Sequence, residues 1–467
     1  MYNITPKKRL EFTISKCYTT KMKRLAIADL IKWLKNPSRK PLILRGARQV
    51  GKSTLVHLFC EQEKLDLIEF NFEIESLGSL EVGDFDLQKL LDEIQFKKKK
   101  KISENSLIFF DEIQESPKLL KVLRYFYEKA PEIKVIAAGS LLEIALRDED
   151  FSFPVGRVDF YHLGPMSFRE FLWATGQEFL DEKLSKFEFS QELHLAATKA
   201  LKDFYYVGGM PAVVKKFAET NSLVDMREIQ NQIVQTYQAD FPKYNKRINI
   251  QRITRVFNAL ALSIGRKVIY SKLDSESTSR DIKRVVELLI DSRVILSCVH
   301  SDGNNSPLMG ESNLKIFKTY FLDIGILNSI LRLDYETIDR EFKNKFNTKG
   351  VIAEQFVAQH LNFFQPPSLA PGLSYHLRDK GSQKAEVDFL IESQGSIYPL
   401  EVKSVAKGHL KSLQYFCKSK APRFAFKLSL EEFSVDKNFA GNSVLISLPL
   451  YAVEYLKANF EKLAIHT

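Results

Sequence analysis

The sequence predicts an α/β protein in several domains: a parallel sheet first, then a helical lid, a winged-helix-like middle segment and a second α/β unit at the C-terminal end. Three observations predict it. The chain has 467 residues, enough for about three domains. Up to His162, short apolar runs alternate with helical patterns, as a parallel sheet with crossover helices requires. Beyond residue 347, a helix leads into three short strands, a further helix and a fourth strand.

Composition excludes a largely disordered chain: 45% of residues are hydrophobic and 27% charged, ordinary proportions for a soluble globular protein. The net charge of +10 and pI near 9.1 suit a polyanionic partner, or reflect scattered surface lysine runs. Cys17, Cys60, Cys298 and Cys417 form no CxxC pair, so neither a zinc site nor a disulfide framework is expected, and a reducing cytoplasm is the expected setting. Met1–Arg24 has no apolar core, so no signal peptide is expected there. No run of 18 or more apolar residues occurs, so no membrane span or membrane partner is expected.

Five regions follow from the patterning: an arm (1–24), a core (25–162), a helical lid (163–244), a winged-helix-like domain (245–330) and a C-terminal domain (345–467). In the core, Pro41–Leu44, Leu67–Phe72, Leu107–Phe110 and Lys134–Ala138 read as buried strands. Lys97–Lys101 reads as a solvated loop or a nucleic-acid contact. In the lid, Gly208-Gly209 and Pro211 must turn the chain. The middle domain combines helices with a hairpin, Val294–Val299 and Ile316–Phe321, across a Gly/Asn/Ser-rich loop, Ser301–Asn313. Its helix Ser279–Arg293 carries an apolar stripe of Ile282, Val285, Val286, Leu289 and Ile290, with Arg280, Lys283 and Arg284 on exposed faces. Such a helix enters a DNA major groove in helix-turn-helix proteins, or is an ordinary surface helix.

The chemistry begins after the first strand. Gly46-Ala47-Arg48-Gln49-Val50-Gly51-Lys52-Ser53 fits GxxxxGK[ST], with a strand before it and a helix beginning near Ser53. Backbone N–H groups of Gly46 to Thr54 would curl around phosphate oxygens, and the helix N-terminus adds positive potential. Lys52 would reach the β- and γ-phosphates of ATP, and Ser53 would ligate Mg²⁺. Leu107–Phe110 ends in Asp111-Glu112, which meets a ligand at the open edge of the sheet. Asp111 would hold the Mg²⁺ shell and Glu112 would polarise the attacking water. Ser140, after the strand Lys134–Ala138, is a γ-phosphate sensor or turn chemistry. Arg157 is an arginine finger or a structural ion-pair partner.

Near the C-terminus, Asp388 lies in Glu386–Ile391, and Glu401-Val402-Lys403 lies in the next strand. A hairpin turn centred on Gln394-Gly395 places Asp388 opposite Glu401, with Cβ atoms about 4.5–5.5 Å apart. Alternation puts Glu401 and Lys403 on one face. Two facing carboxylates call for a cation, and Mg²⁺ takes such oxygen ligands. A charged solvent-facing hairpin is the alternative.

Two resemblances build on these residues. Lys40–Ser53, Phe109-Phe110-Asp111-Glu112-Ile113-Gln114, the segment Leu163–Leu172 and Gly208-Gly209-Met210-Pro211 resemble motifs of a bacterial and archaeal P-loop ATPase family among the AAA-type ATPases or their signalling relatives. The order Glu354, Asp388, Glu401, Lys403 is similar to the PD-(D/E)xK nuclease core, with Gln414 on the following helix; Ala385 and Glu386 stand where that motif has its proline. The resemblance implies that Glu354 joins Asp388 and Glu401 around a metal. Together they imply ATP turnover coupled to a DNA-binding or nuclease-like domain, or a nucleotide-gated switch that binds a protein partner through an inactive nuclease-like module. The sequence carries no sign of oligomeric state.

Overall fold

The computed structural model describes residues 22–80, 85–140, 142, 156–244, 248–343, 350–379, 385–403, 410–460 and 463. Residues 1–21 of the expected arm, Cys17, and the expected domain start near 345 lie outside the described residues.

The N-terminal sheet has five strands: β1 (Leu42–Arg45), β2 (Asp66–Asn71), β3 (Ser106–Asp111), β4 (Lys134–Gly139) and β5 (Asp159–His162), in the order β2-β3-β4-β1-β5. Every pairing is parallel. The strands are apolar on both faces because helices cover both. Leu42, Leu44, Leu107, Phe109, Ile136 and Ala138 enter one core, and Ile43, Ile108, Phe110, Val135 and Ala137 the other. This is the period-two alternation of a buried strand. Helices α1 (Ala26–Lys35), α2 (Lys52–Glu63), α3 (Leu87–Lys98) and α4 (Pro117–Lys129) complete the unit. The lysine run closes α3 rather than forming a free loop: Lys98 pairs with Glu75, and Lys100 with Asp66.

The helical segment comprises α5 (Phe168–Ala174), α6 (Glu178–Ser185), α7 (Gln191–Val207), α8 (Pro211–Thr220) and α9 (Leu223–Tyr244). Ser167 opens α5 with a capping box: its side chain receives the Glu170 N–H, and the Glu170 side chain receives the Ser167 N–H. Gly208 adopts φ 74°, and a Cβ there would collide with the carboxylate of Asp323. The turn therefore needs glycine for conformation and for room.

Three helices follow, α10 (Ile250–Leu262), α11 (Tyr270–Leu273) and α12 (Ser279–Asp291), then the hairpin β6 (Ile295–Ser301) and β7 (Ser312–Phe321). Helix α12 buries Ile282, Val285, Val286 and Leu289 and exposes Arg280, Lys283 and Arg284, the faces that periodicity predicts.

Helices α13 (Ile324–Ile330), α14 (Tyr335–Lys343) and α15 (Gly350–Leu361) lead to β8 (Leu373–Arg378), β9 (Ala385–Ser393) and β10 (Ser396–Val402). Then come α16 (Lys411–Lys420), β11 (Phe424–Ser429), β12 (Ser434–Ala440) and β13 (Ser443–Pro449). The segments read separately at 245–330 and 345–467 share one eight-stranded sheet, β12-β13-β11-β10-β9-β8-β6-β7. Strand β6 bonds β7 on one edge and β8 on the other, through Cys298↔Leu373 and its neighbours. The hairpin loop is not a free wing either. Leu308 is buried with Val387, Leu390, Leu413 and Phe416, its N–H and the Ser306 hydroxyl donate to Glu392, and Lys420 donates to Asn304. The apolar Leu308 inside a polar loop is what ties it down.

Candidate functional site

The P-loop leaves β1 with Gly46, where a Cβ would strike the Leu163 carbonyl, and reaches α2 through Gly51 at φ 90°. Lys52 is buried, and its Nζ donates to the carbonyls of Gly46 (3.0 Å) and Ala47 (2.9 Å). The ammonium is thus held inside the loop it serves. Ser53 Oγ donates to Asp111 Oδ2 at 2.6 Å. Burial raises the Asp111 carboxyl above its ordinary range; the Ser53 hydrogen bond opposes this and the neighbouring Glu112 adds to it. A hydroxyl and a carboxylate this close are hard oxygen donors, so they fit Mg²⁺ with phosphate and water as its other ligands.

Arg48, Gln49, Gly51, Lys52, Ser53, Thr54 and Glu112 line one cavity of about 690 Å³. Across it stand Met166, Pro211 and Lys215, and Ile229 and Ile233 of α9. The P-loop is also tied to α9. Arg48 Nε pairs with Asp240 at 2.9 Å, and Tyr237 Oη donates to the Arg48 carbonyl at 2.9 Å.

Ser140 is buried, and its hydroxyl donates to Glu112 Oε2 at 3.2 Å. Of the two readings of Arg157, the structure shows the ion pair: its Nε pairs with Glu128 Oε1 at 2.7 Å on the surface, away from this cavity. An exposed arginine beside a glutamate finds its counter-ion there.

Arg24 is a functional candidate that sequence reasoning missed. Its side chain is 6% exposed and joins three segments. Nη1 donates to the Val50 carbonyl in the P-loop (2.9 Å), Nη2 to the Gly164 carbonyl (2.8 Å), and Nε pairs with Glu170 (3.1 Å). From there the path continues through backbone. Met166 N–H donates to the Gly209 carbonyl (2.6 Å), and Gly209 N–H to Asp323 Oδ2 (2.5 Å). Gln359 of α15 donates to the same Asp323 oxygen (3.2 Å). Burial pushes Asp323 up to about 6, against four hydrogen bonds that stabilise its charge. In parallel, Phe168 N–H donates to Glu454 Oε1 (2.6 Å), which also meets His360 (3.0 Å). The motifs Leu163–Leu172 and Gly208–Pro211 are therefore connectors between the P-loop and the C-terminal unit. Arg24 gave no sequence signal, because it lies in the arm outside any motif.

The second candidate centre lies on β9, β10 and α15. The hairpin turn has positive φ at Gln394 and Gly395 and pairs Phe389 with Leu400, so the same register sets Asp388 opposite Glu401. Asp388 Oδ2 accepts the Val402 N–H at 2.8 Å, and Lys403 Nζ donates to Glu401 Oε1 at 2.5 Å. Tyr320 of β7 donates to Glu354 at 3.1 Å. Burial, then the Asp388 charge, push Glu354 and Glu401 each up to about 8; burial raises Asp388 as well. Gln414 is half-buried on α16 and bonds none of these carboxylates among the described residues.

Glu354 and Glu401 both lie close enough to Asp388 to feel its charge. Among the described residues, no group of three or more His, Cys, Asp or Glu side chains is arranged to hold a metal ion. Two lysines stand among these carboxylates. Lys403 bonds Glu401, and Lys318 of β7, 1% exposed, pairs with Glu386 and faces Asp388 and Glu354. Burial alone would lower Lys318, yet these carboxylates raise it. The cluster thus carries its own cations.

Cys60, Cys298 and Cys417 are buried thiols, and burial pushes Cys60 up to about 12 and Cys417 up to about 11, so neither is a nucleophile. Among the described residues, no helix is long and apolar enough to cross a membrane.

Comparison with known proteins agrees with the first site. Residues 38–172 match a family model described as an AAA domain. Two further models, each described as a domain of unknown function, match residues 198–337 and 349–451. A search of the curated proteins gives no match. Among solved structures, similar chains include a Walker-type ATPase of Pyrococcus abyssi, at 15% identity and TM-score 0.43, covering 67% of this chain and 96% of that one. The RuvB Holliday junction branch migration motor of Thermotoga maritima gives 12% and 0.28, covering 59% and 89%. The ORC2 protein of Aeropyrum pernix gives 13% and 0.30, covering 69% and 93%. Likeness at these scores carries no argument about substrate or partner. The five-stranded parallel sheet, the P-loop and the matched model together give residues 38–172 the fold of an AAA-type P-loop ATPase domain.

Proposed function

We propose that this chain binds and hydrolyses ATP and passes its nucleotide state to the C-terminal unit as a nucleotide-gated switch. The observation that carries the proposal is the hydrogen-bonded path from the Val50 carbonyl through Arg24, Gly164–Met166, Gly209 and Asp323 to Gln359. Phosphate binding by the P-loop amides moves the Val50 peptide, and the rigid guanidinium transmits that movement, because its planar fork fixes three acceptors at once. Mg²⁺, when held by Ser53 and Asp111, would neutralise phosphate charge. Lys52 binds the phosphates, and Glu112 polarises the attacking water. In this proposal the C-terminal unit serves as a binding module for a protein partner, with Lys318 and Lys403 set against its carboxylates.

The test uses hydrogen exchange with and without ATP. In the wild type, nucleotide is expected to change exchange at Met166, Phe168 and Gly209 and along α15. Arg24→Lys keeps a charge against Glu170 but cannot span the Val50 and Gly164 carbonyls, so the change along α15 should disappear while ATP still binds. An α15 that is indifferent to nucleotide in the wild type sinks the switch.

A second reading, ATPase action on DNA through a nuclease-like unit, is favoured by the exposed Arg280, Lys283 and Arg284 and by Asp388 facing Glu401 beside Lys403. If those three cations meet DNA phosphates, their joint replacement by alanine should flatten the salt dependence of binding by up to about 2.7 in log–log slope, about 0.9 per contact. An unchanged slope removes α12 from the interface.

A further inference from the structure

Glu112 is held by more than its own strand. Its backbone is left-handed, at φ 50°, and opens the short turn Ile113–Glu115 that brings residue 114 back beside it. Oε2 of Glu112 accepts two hydrogen bonds, from Gln114 Nε2 at 2.6 Å and from Ser140 Oγ at 3.2 Å. Among the described residues, Oε1 accepts none. The side-chain carboxylate therefore has one committed oxygen and one uncommitted oxygen, and Glu112 lines the nucleotide cavity.

Gln114 is an odd residue for its place. It is 9% exposed, and its own Oε1 is buried with no hydrogen-bond partner among the described residues. A buried acceptor without a partner is costly, and a methionine would fill the same space without that cost. Gly139 makes the room: a Cβ there would lie 2.7 Å from Gln114 Oε1. Among the described residues, the only side-chain hydrogen bond that Gln114 makes is the one to Glu112. The terminal torsion of a glutamate is broad and two-fold, so nothing in Glu112 itself fixes which oxygen faces the cavity. An outside donor must do so.

We propose that Gln114 is a positioning residue for ATP hydrolysis: with Ser140 it pins one oxygen of Glu112 and leaves the other for the attacking water. This rests on the placement of Glu112 under the proposed function. In the step itself, the water oxygen bonds to the γ-phosphorus as the bond from phosphorus to the β–γ bridging oxygen breaks. The electron pair of that bond leaves with ADP, and the water proton passes to Glu112 Oε1. A neutral amide suits the clamp, because it donates a hydrogen bond without adding a charge that would compete for the carboxylate.

The experiment compares Gln114→Met and Gln114→Glu with the wild type in ATP binding and single-turnover hydrolysis. Gln114→Met should lower the hydrolysis rate by about 10–100-fold, the cost of a misplaced catalytic group. ATP affinity should change by no more than about twofold, because only a transition-state contact is lost. Gln114→Glu keeps the size of the side chain and sets a second carboxylate against Glu112. The two would share a proton, so the acid limb of the rate–pH profile should move upward by about one unit or more. In a Glu112→Gln background, Gln114→Met should have little further effect. Equal losses of affinity and rate, an unmoved pH profile, or additive losses would each show a merely structural glutamine and overturn the proposal. If Glu112→Gln alone leaves hydrolysis intact, the placement of Glu112 fails instead. If Glu112→Gln is slow and Gln114→Met is as fast as the wild type, only the positioning role fails.

Discussion

Lys52→Ala is expected to lower ATP affinity or turnover by about 10²–10⁴-fold. Two charge-assisted hydrogen bonds to phosphate oxygens are worth ~1.5–3 kcal/mol each, and 1.36 kcal/mol is a factor of about ten. The structure adds a second cost. The Lys52 ammonium binds the carbonyls of Gly46 and Ala47 and is buried beneath the loop, so alanine removes a donor from two carbonyls and packing from their support. Nucleotide titration by calorimetry and a phosphate-release assay check this, with far-UV circular dichroism to show that the fold survives. Unchanged binding and turnover in folded Lys52→Ala protein would remove the ATP assignment.

What could be read from the sequence differed between sites for physical reasons. The P-loop was legible because its glycines and lysine are fixed by local geometry: residues 46–53 are contiguous, and each acts on the same ligand. Asp388 and Glu401 were also legible, since a two-residue turn at Gln394-Gly395 sets the register of the whole hairpin. Lys318 was not. In Ile316–Phe321 the lysine stands beside Thr319, and such a polar pair inside a strand reads as solvent-facing. Yet β7 is covered by α15, whose Glu354 meets Tyr320 two residues along. Only tertiary packing makes that lysine an internal cation.

The shared sheet was hidden for a related reason. The pairing of β6 with β8 joins residues about 75 positions apart, Cys298 with Leu373, and no local pattern encodes so distant a partner. The helical outline at 250–293 and the hairpin after it match the observed elements, but the polar composition of the loop Ser301–Asn313 gives no sign of how it is held. One buried leucine, Leu308, seats it against α16. Strands β12 and β13 carried no expectation, and the C-terminal sheet extends through them. Gly208 and Gly209 were legible as a turn, while the reason for two glycines was not. A Cβ on the first would meet Asp323, and a Cβ on the second would meet the Met166 carbonyl.

Glu112→Gln is the variant that separates binding from chemistry, with turnover expected to fall by about 10²–10⁴-fold, the usual contribution of a general base. ATP affinity should hold, because Lys52, Ser53 and Asp111 are untouched and the Ser53–Asp111 hydrogen bond does not involve residue 112. The clamp should hold as well. A glutamine at 112 can turn its carbonyl oxygen toward Gln114 Nε2 and Ser140 Oγ, the two donors that now meet Oε2. Its NH₂ then faces the cavity where the uncommitted carboxylate oxygen stood, and an amide cannot take the proton of the attacking water. Size, position and two hydrogen bonds are kept, so the loss reports the missing charge alone. Calorimetry with ATP and a single-turnover assay on the same preparation measure both halves. A variant that binds ATP and hydrolyses it at the wild-type rate would show that another group polarises the water, and one that no longer binds would place Glu112 in ground-state nucleotide binding instead.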